Sequence, residues 1–311
     1  MKRIRVGVVG VGYIGQFHAE KYAQMEGVEL VGVVDTNIKR AREVAERNHT
    51  QFFYHHSELF KRIDAVSIAV PTPLHYSITK DFFLNGVDVL LEKPMTKTVE
   101  EAEDLISLSE KNGLIFQIGH LERFNSALVS LEGNINKPLF IQSLRLSPFS
   151  GREVDINVVL DLMIHDIDII LTIVKSEIVE LRGCGISILT SHYDIANGQI
   201  QFQNGCIADL TVSRVFNEKV RKTWFFEKDG TLVIDYLSQK ASRIKKDENL
   251  NQIVVEELSI RKRDLLEAEL SSFIESVRSR GNVKVSGYEG KRALEVALKL
   301  IEKMDEKRVV N

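Results

Sequence analysis

The apolar stretch Val158–Val174 carries acids and a histidine at a spacing that could serve proton transfer. If this stretch is a helix, with about 100° per residue, Asp161, His165 and Asp168 fall within an arc of about 60°. Such a stripe on an apolar helix costs desolvation free energy unless it faces a polar cavity. The stripe has three interpretations: acid–base catalysis, a core histidine with satisfied hydrogen bonds, or a metal site. A lone histidine on an apolar helix is more often a core residue, but the aspartate four residues earlier, together with Lys93 from the other predicted domain, favours catalysis by Asp161 and His165.

A second candidate site is Gly10-Val11-Gly12-Tyr13-Ile14-Gly15, which follows a strand-like run and opens a helical pattern. In a dinucleotide site the three glycines permit a tight turn, close approach of a pyrophosphate, and packing of helix on strand. Asp35 ends the next strand-like run, where a carboxylate can accept hydrogen bonds from both ribose hydroxyls. It would repel a 2′-phosphate, so we expect NAD, while nearby Arg40 and Arg42 keep NADP possible. The alternative is an ordinary glycine turn with a capping aspartate.

Two further segments leave strand-like runs at their carboxyl ends, where open parallel sheets bind ligands. The first is Pro71-Thr72-Pro73-Leu74-His75, and the second is Glu92-Lys93-Pro94. Proline fixes the backbone at each exit and presents neighbouring residues to the ligand crevice. The alternative is that Pro71 and Pro94 only end strands and that Lys93 is a solvated surface charge. With the glycine motif, these segments complete the expected cofactor site: Gly10, Gly12, Tyr13, Ile14, Gly15, Asp35, Thr36, Arg40, Pro71, Thr72, His75, Glu92 and Lys93.

The pattern of elements predicts an α/β protein with two domains. Residues 1–120 alternate short Val- and Ile-rich runs with helical patterns, which indicates a Rossmann-type doubly wound parallel sheet of six strands. Residues 121–311 continue with one helix at Val158–Val174. Closely spaced alternating segments with Asn-Gly and Asp-Gly turns follow, at Ile178–Ile188, His192–Phe202, Cys206–Val212, Thr223–Glu227 and Thr231–Tyr236. These features predict an α+β domain with an open, mostly antiparallel sheet. Two helices, near Asp264–Arg280 and Tyr288–Lys307, close the chain.

Composition argues against several other classes of protein. The formal net charge of -3 gives no basic excess for a nucleic-acid partner. The long apolar stretch contains charged residues that a membrane span would rarely tolerate, so we expect a cytoplasmic protein without a membrane partner. Cys184 and Cys206 have no metal-ligand spacing and no disulfide framework, and we expect no metal.

These motifs, in this order, resemble the glucose–fructose oxidoreductase/inositol dehydrogenase (Gfo/Idh/MocA) family over almost the whole chain. The resemblance implies a catalytic lysine in the Glu-Lys-Pro segment, acting with an aspartate and a histidine four residues apart. Here these are Lys93, Asp161 and His165. It also implies an α+β second domain whose sheet mediates oligomerisation, as a homodimer or homotetramer. The resemblance places the expected substrate contacts at Lys93, His120, Arg123, Asp161, His165 and Tyr236. For His120 and Arg123 the alternative is a charged turn between the two domains.

Within this family, Gly119–Asn125, Ser147–Phe149 and Val158–Ile170 resemble the branch that oxidises the C3 hydroxyl of UDP-N-acetylglucosamine. The expected partner is therefore a sugar or nucleotide sugar. One alternative is a dehydrogenase or reductase for another polyol, such as inositol, an anhydro-sugar or a dihydrodiol. A second is a non-catalytic protein that senses NAD(H). The retained lysine, aspartate and histidine favour an enzyme over a sensor.

Overall fold

The computed structural model describes residues 3–151, 156–247 and 252–306. The chain forms two compact units. The first contains Met1–Leu121 and Asp264–Lys291, and the second contains Glu122–Arg263 and Arg292–Asn311. The division after Leu121 lies next to the predicted boundary at residue 120. The assignment of Asp264–Lys291 to the first unit differs from the single boundary that the sequence suggested.

The first unit is built on a parallel six-stranded sheet, with the order β3-β2-β1-β4-β5-β6. The predicted doubly wound fold is confirmed. Its strands are β1 (Ile4–Val9), β2 (Val28–Val34), β3 (Gln51–Phe53), β4 (Ala65–Ile68), β5 (Asp88–Glu92) and β6 (Phe116–Gly119). Its helices before residue 121 are α1 (Gly15–Gln24), α2 (Ile38–Arg47), α3 (His75–Leu84) and α4 (Val99–Lys111). Because the carboxyl ends of parallel strands share one edge, the glycine motif, Asp35 and Glu92 all follow or end strands at that edge.

Helix α7 (Leu265–Ser279) explains why a late segment belongs to the first unit. Its buried residues Leu270, Phe273 and Ile274 share an apolar cluster with Val6 on β1 and Tyr22 on α1. The apolar face of α7 is thus covered by the Rossmann core. Sequence periodicity identified this helix but could not identify the surface on which it packs.

The second unit contains a sheet of eight strands in the order β14-β13-β12-β11-β7-β10-β9-β8. Only the pair β7 and β10 is parallel, so the predicted mostly antiparallel sheet is confirmed. Three of these strands were absent from the sequence prediction: β7, β13 and β14. The strands are β7 (Phe140–Leu146), β8 (Ile178–Ile186), β9 (Ile195–Phe202), β10 (Ile207–Ser213), β11 (Val220–Glu227), β12 (Gly230–Asp235), β13 (Lys240–Asp247) and β14 (Gln252–Glu257).

One face of this sheet is covered by the helix that carries the candidate acid–base pair. That helix starts with a π-helical turn, Val159–Met163, and continues as α6 (Ile164–Ile173). Met163 and Ile167 pack in the same core as Ile141 and Phe225 of the sheet. The short helix α5 (Ser126–Leu131) lies in this unit, and α8 (Gly287–Asp305) begins in the first unit and ends in the second. Within the described ranges, no helix combines the length and the apolar character that crossing a membrane requires.

Candidate active site

The glycine motif lies between β1 and α1. Gly10 has a φ of +83°, and a Cβ there would lie 2.6 Å from the carbonyl oxygen of Ala69, so only glycine fits. At Gly12, among the described residues, no atom lies within 4 Å of the place a Cβ would take. The N-cap residue of α1, Ile14, provides no side-chain hydrogen bond to the first turn. The open backbone at Gly12 and the helix N-terminus together fit a pyrophosphate.

Asp35 follows β2 and is almost fully buried. Its carboxylate accepts hydrogen bonds from the backbone N–H of Val11 at 3.0 Å and of Asn37 at 2.8 Å. The exposed Arg40 guanidinium donates two more. Burial opposes ionisation, but these hydrogen bonds prevail and hold the pKa of Asp35 below its ordinary value. Thr36, beside it, is exposed. The carboxylate is therefore an anion at the edge where an adenosine ribose would bind.

His75 connects the two strand-end segments. Its ring nitrogen Nδ1 is 2.9 Å from the carbonyl oxygen of Pro94, and Nε2 is 2.8 Å from that of Val70. The residue is 1% exposed, and burial lowers its pKa, although both hydrogen bonds oppose that shift. Of the other residues in its segment, Pro71 is exposed and Thr72 is half-buried. The His75 ring thus connects the loops after β4 and β5. Its expected contact with the cofactor stays a prediction.

Glu92 ends β5, and Lys93 follows it in a half-buried position. The Glu92 carboxylate accepts a hydrogen bond from the backbone N–H of Lys93 at 3.3 Å and lies 3.3 Å from Nε2 of His18. Burial opposes ionisation of Glu92, but His18 and Lys93 hold its pKa below the ordinary value. Lys93 therefore has an anionic neighbour. His120, another residue of the first unit, is buried just after β6.

In the second unit, the candidate pair occupies the start of the long helix. Asp161 lies in the π-helical turn and His165 in the first turn of α6, and both are half-buried. A π-helical turn widens the helix locally and is frequent at functional sites. The neighbouring residues Met163, Ile164 and Ile167 are fully buried in the core of this unit. The helix therefore presents Asp161 and His165 away from the face that packs on the sheet.

Asp168 has a different environment from the pair with which it shares an arc. It is 3% exposed, and its Oδ1 lies 3.3 Å from Nη1 of Arg123. Arg123 is also buried and donates a further hydrogen bond to the hydroxyl of Thr172. These contacts favour a structural role for Arg123, which the sequence resemblance had placed at the substrate. Of the three residues in the polar stripe, Asp161 and His165 are thus half-buried, whereas Asp168 is buried in an ion pair with Arg123.

A second buried ion network surrounds Arg145 on β7. Its guanidinium makes two hydrogen bonds of 2.9 Å to Asp166 and one of 2.9 Å to Glu122. Tyr236, expected at the substrate, lies in this buried network, with its ring 5.7 Å from the Arg145 guanidinium carbon. Burial raises the pKa of the Tyr236 hydroxyl. This placement favours a role in the core of the second unit, and a substrate contact by Tyr236 stays a prediction.

Arg221 on β11 is a candidate that the sequence analysis missed. Its Nη1 lies 3.4 Å from Oε1 of Glu122, yet the side chain is still 39% exposed. Burial and the nearby Arg145 lower its pKa, while Glu122, Asp166 and Asp161 oppose that shift. Arg221 is thus a partly exposed cation in the electrostatic field of Asp161. An arginine in a charged strand gives no sequence signal for this role, because only the register of β11 places it there.

Two models of known families match the sequence. The first, described as an oxidoreductase family with an NAD-binding Rossmann fold, matches residues 4–120. The second, the GFO/IDH/MocA C-terminal domain, matches residues 144–233. Together they cover the strands that carry the glycine motif and Lys93 and the helix that carries Asp161 and His165.

Individual relatives match nearly end to end. UDP-N-acetylglucosamine 3-dehydrogenase of Acidithiobacillus ferrooxidans is 34% identical over 305 residues, covering 96% of this chain and 97% of the relative. Its solved structure superposes with a TM-score of 0.92, covering 98% of this chain and 99% of that one. The scyllo-inositol 2-dehydrogenase (NAD(+)) of Bacillus subtilis is 26% identical over 318 residues, covering 95% and 92% of the two chains.

Proposed function

This chain belongs to the Gfo/Idh/MocA family of NAD-binding oxidoreductases, and we propose that it oxidises the C3 hydroxyl of UDP-N-acetylglucosamine to the ketone. The family and the cofactor agree with the sequence expectations. The observation that carries the substrate is the 34% identity, over nearly both full lengths, to an enzyme named for that reaction. The resemblance of Gly119–Asn125 and Val158–Ile170 to the same branch supports it.

Oxidation of a secondary alcohol removes a hydride from carbon and a proton from oxygen, and a carbonyl group forms. NAD, when bound, supplies the hydride acceptor. We assign the proton to His165, with Asp161 orienting the imidazole. The Lys93 ammonium stabilises the charge that develops on the same oxygen, and the adjacent Glu92 carboxylate supplies a negative charge next to it. The roles of Lys93 and His165 can be exchanged without altering the overall balance of atoms.

Arg221 is proposed as a further substrate contact of this reaction. Its guanidinium donates a hydrogen bond to Glu122 at 3.4 Å, and the side chain remains 39% exposed in the electrostatic field of Asp161. A guanidinium has five N–H donors that match phosphate oxygens or vicinal hydroxyls. A nucleotide sugar offers both kinds of acceptor. Arg221 is therefore suited to either acceptor of a nucleotide sugar, the diphosphate or the sugar hydroxyls.

The direct test measures NADH formation with UDP-N-acetylglucosamine, UDP-glucose, myo-inositol and glucose at equal concentrations, with product identification by NMR. We expect the highest kcat/KM with UDP-N-acetylglucosamine and a 3-keto sugar as product. The His165→Ala variant serves as the inactive control. Faster turnover of inositol would replace the proposal with the polyol alternative.

A non-catalytic sensor of NAD(H) predicts a different pattern. It would bind NAD but show no turnover with any of these substrates, and Lys93→Ala would then leave the behaviour unchanged. Lys93, Asp161 and His165 are all present, with Asp161 and His165 half-buried rather than packed in the core. These features favour the enzyme.

A further inference from the structure

Three acid–base side chains meet inside the first unit, behind the Glu-Lys-Pro segment. They are His18 on α1, Glu92 at the end of β5 and Glu269 on α7, and one N or O atom of each lies within 4.8 Å of the others. His18 and Glu269 are 0% exposed, and the Glu92 side chain is 13% exposed. Glu92 is the residue whose carboxylate accepts the N–H of Lys93.

The surrounding backbone is shaped to hold this cluster. A Cβ on Gly119 of β6 would lie 3.0 Å from the carboxyl carbon of Glu92, so glycine leaves the space that the carboxylate occupies. Two residues earlier on β6, the side chain of Gln117 donates a hydrogen bond of 3.3 Å to the backbone oxygen of Glu269. Helix α7 is thereby fixed against the strand edge with the Glu269 side chain directed inward.

The charges of the cluster do not balance if both acids are ionised. Within the described residues, neither carboxyl oxygen of Glu269 has a hydrogen-bond partner. An ionised carboxylate in that condition costs several kcal/mol, and proteins avoid this cost by protonating the group. Burial, and then the negative charge of Glu92, raise the pKa of Glu269 well above its ordinary value. Glu92 differs because His18 and Lys93 stabilise its charge.

We propose that Glu269 is an uncharged carboxylic acid in the folded enzyme and that, with His18, it positions the Glu92 carboxylate beside Lys93. Glu269 and His18 are positioning residues, since they act through Glu92. The positioning role rests on the proposed function of Lys93, whereas the uncharged state of Glu269 does not depend on it. A bound cation is the competing explanation of the cluster. It would have three protein ligands here, one fewer than a structural zinc site uses, whereas a proton needs no further ligand.

Several titratable groups surround Glu269 and enter the expected pH dependence. They are His18 and Tyr22 on α1, Glu92 on β5, Lys93 after it, and His75 near Glu92. Tyr22 donates to or accepts from Ser67 at 2.9 Å, and burial raises its pKa, so it stays neutral through the range below.

The first test measures the unfolding of the wild type and of the Glu269→Gln variant, both without substrate, across the neutral range from about pH 5 to about pH 8. A carboxyl group whose pKa is raised by folding stabilises the folded state fully at pH values below its unfolded-state pKa of about 4.3. That stabilisation is lost as the pH rises toward the folded-state pKa. Glutamine mimics the neutral acid and does not titrate. We therefore expect the wild-type unfolding constant to grow relative to the variant's by up to about tenfold per pH unit. Glu275→Gln, on an exposed part of α7, should show no such trend.

The opposite result would overturn the proposal. If Glu269 is an ionised metal ligand, Glu269→Gln destabilises the protein at every pH, and Zn²⁺ or Mn²⁺ raises the Tm of the wild type only. Elemental analysis of the purified wild type would then show one metal per chain.

Infrared spectra of the wild type give a measurement that needs no variant to fold. A protonated-carboxyl band should persist at neutral pH, and its absence there contradicts the proposal.

The functional test is the pH profile of kcat. As Glu269 ionises, the second negative charge repels Glu92 from its place beside Lys93, so kcat should fall at alkaline pH. In Glu269→Gln this decline should move to higher pH, whereas in Glu275→Gln it should stay in place. An unshifted decline removes the positioning role. The unfolding and infrared measurements use no substrate, so they stand if the proposed reaction fails.

Discussion

The guanidinium of Arg40 makes two hydrogen bonds to the carboxylate of Asp35, with Nε 3.1 Å from Oδ2 and Nη2 2.9 Å from Oδ1. The residue that would discriminate against a 2′-phosphate is thus tied to the residue that would bind one. This pairing makes the preference for NAD a property of both side chains.

Cofactor preference should change when this pair is broken. We expect Asp35→Ser to lower the ratio of kcat/KM for NAD to that for NADP by about tenfold or more, since repulsion ends and Arg40 is released toward the phosphate. The double variant Asp35→Ser/Arg40→Ala should lose the gain with NADP. A wild type that already prefers NADP would contradict this interpretation of Asp35.

Lys93 and His165 should matter to chemistry more than to cofactor binding. Lys93→Ala and His165→Ala should each lower kcat by about 10²-fold or more, while the Kd for NAD changes little. The two losses should be far from additive in the double variant, because the groups serve one proton transfer. Asp161→Asn should be milder than His165→Ala. Lys97→Ala removes an exposed lysine nearby and is the matched control. A near-wild-type kcat in His165→Ala would mean that His165 takes no part in the proton transfer.

Arg221→Ala should raise KM for UDP-N-acetylglucosamine by about tenfold to a hundredfold, the value of one or two charged hydrogen bonds of about 1.5–3 kcal/mol. Arg221→Lys should recover only part of this loss, because lysine lacks the planar set of donors. Steady-state kinetics against substrate concentration give the result. An equal KM in all three proteins would mean that Arg221 serves only Glu122.

Asp194 provides a stability test within the second unit. Its side chain is fully buried and accepts the backbone N–H groups of Ile188, Leu189 and Thr190. Burial opposes ionisation, yet these bonds lower its pKa to about 2. A depressed pKa contributes stability above the unfolded-state value of about 3.9, which is lost as pH falls toward 2. Urea unfolding should show Asp194→Asn destabilised at neutral pH, with the difference shrinking below about pH 4. A difference that is constant with pH would exclude this mechanism.

Oligomerisation should use the face of the second sheet opposite α6. Phe140 and Phe226 stack on neighbouring strands there with ring centroids 5.5 Å apart, and Phe140 is 37% exposed. An apolar face of this kind favours a symmetric partner, so we expect a homodimer or homotetramer by sedimentation velocity. Phe140→Glu should weaken the assembly, whereas Leu84→Glu, at an exposed site of the first unit, should not. A wild type that sediments as a monomer refutes the prediction.

Sequence patterns predicted the helices and strands whose hydrophobic periodicity and flanking turn residues lie close together in the sequence. The glycine motif located β1 and α1, and the alternating segments with Asn-Gly turns located β9 and β10. Strand β7 was missed because Arg145 breaks its apolar face, and only Asp166 and Glu122, distant in sequence, make that arginine a core residue. The same cause separates Asp168 from Asp161 and His165, the candidate acid–base pair. The helical periodicity predicts which side chains share a face, but it does not predict that Asp168 is buried, because Asp168 pairs with Arg123, which is distant in sequence.

The two segments of the first unit are separated by the whole of Glu122–Arg263. During synthesis the Rossmann strands are complete long before α7 is made, and α7 supplies Leu270, Phe273 and Glu269 to that unit. The carboxyl cluster behind Lys93 can therefore assemble only when nearly all of the chain has left the ribosome. Nascent or truncated chains ending near residue 121 would possess the glycine motif and Lys93 without Glu269, so this cluster cannot form until the second unit has been translated.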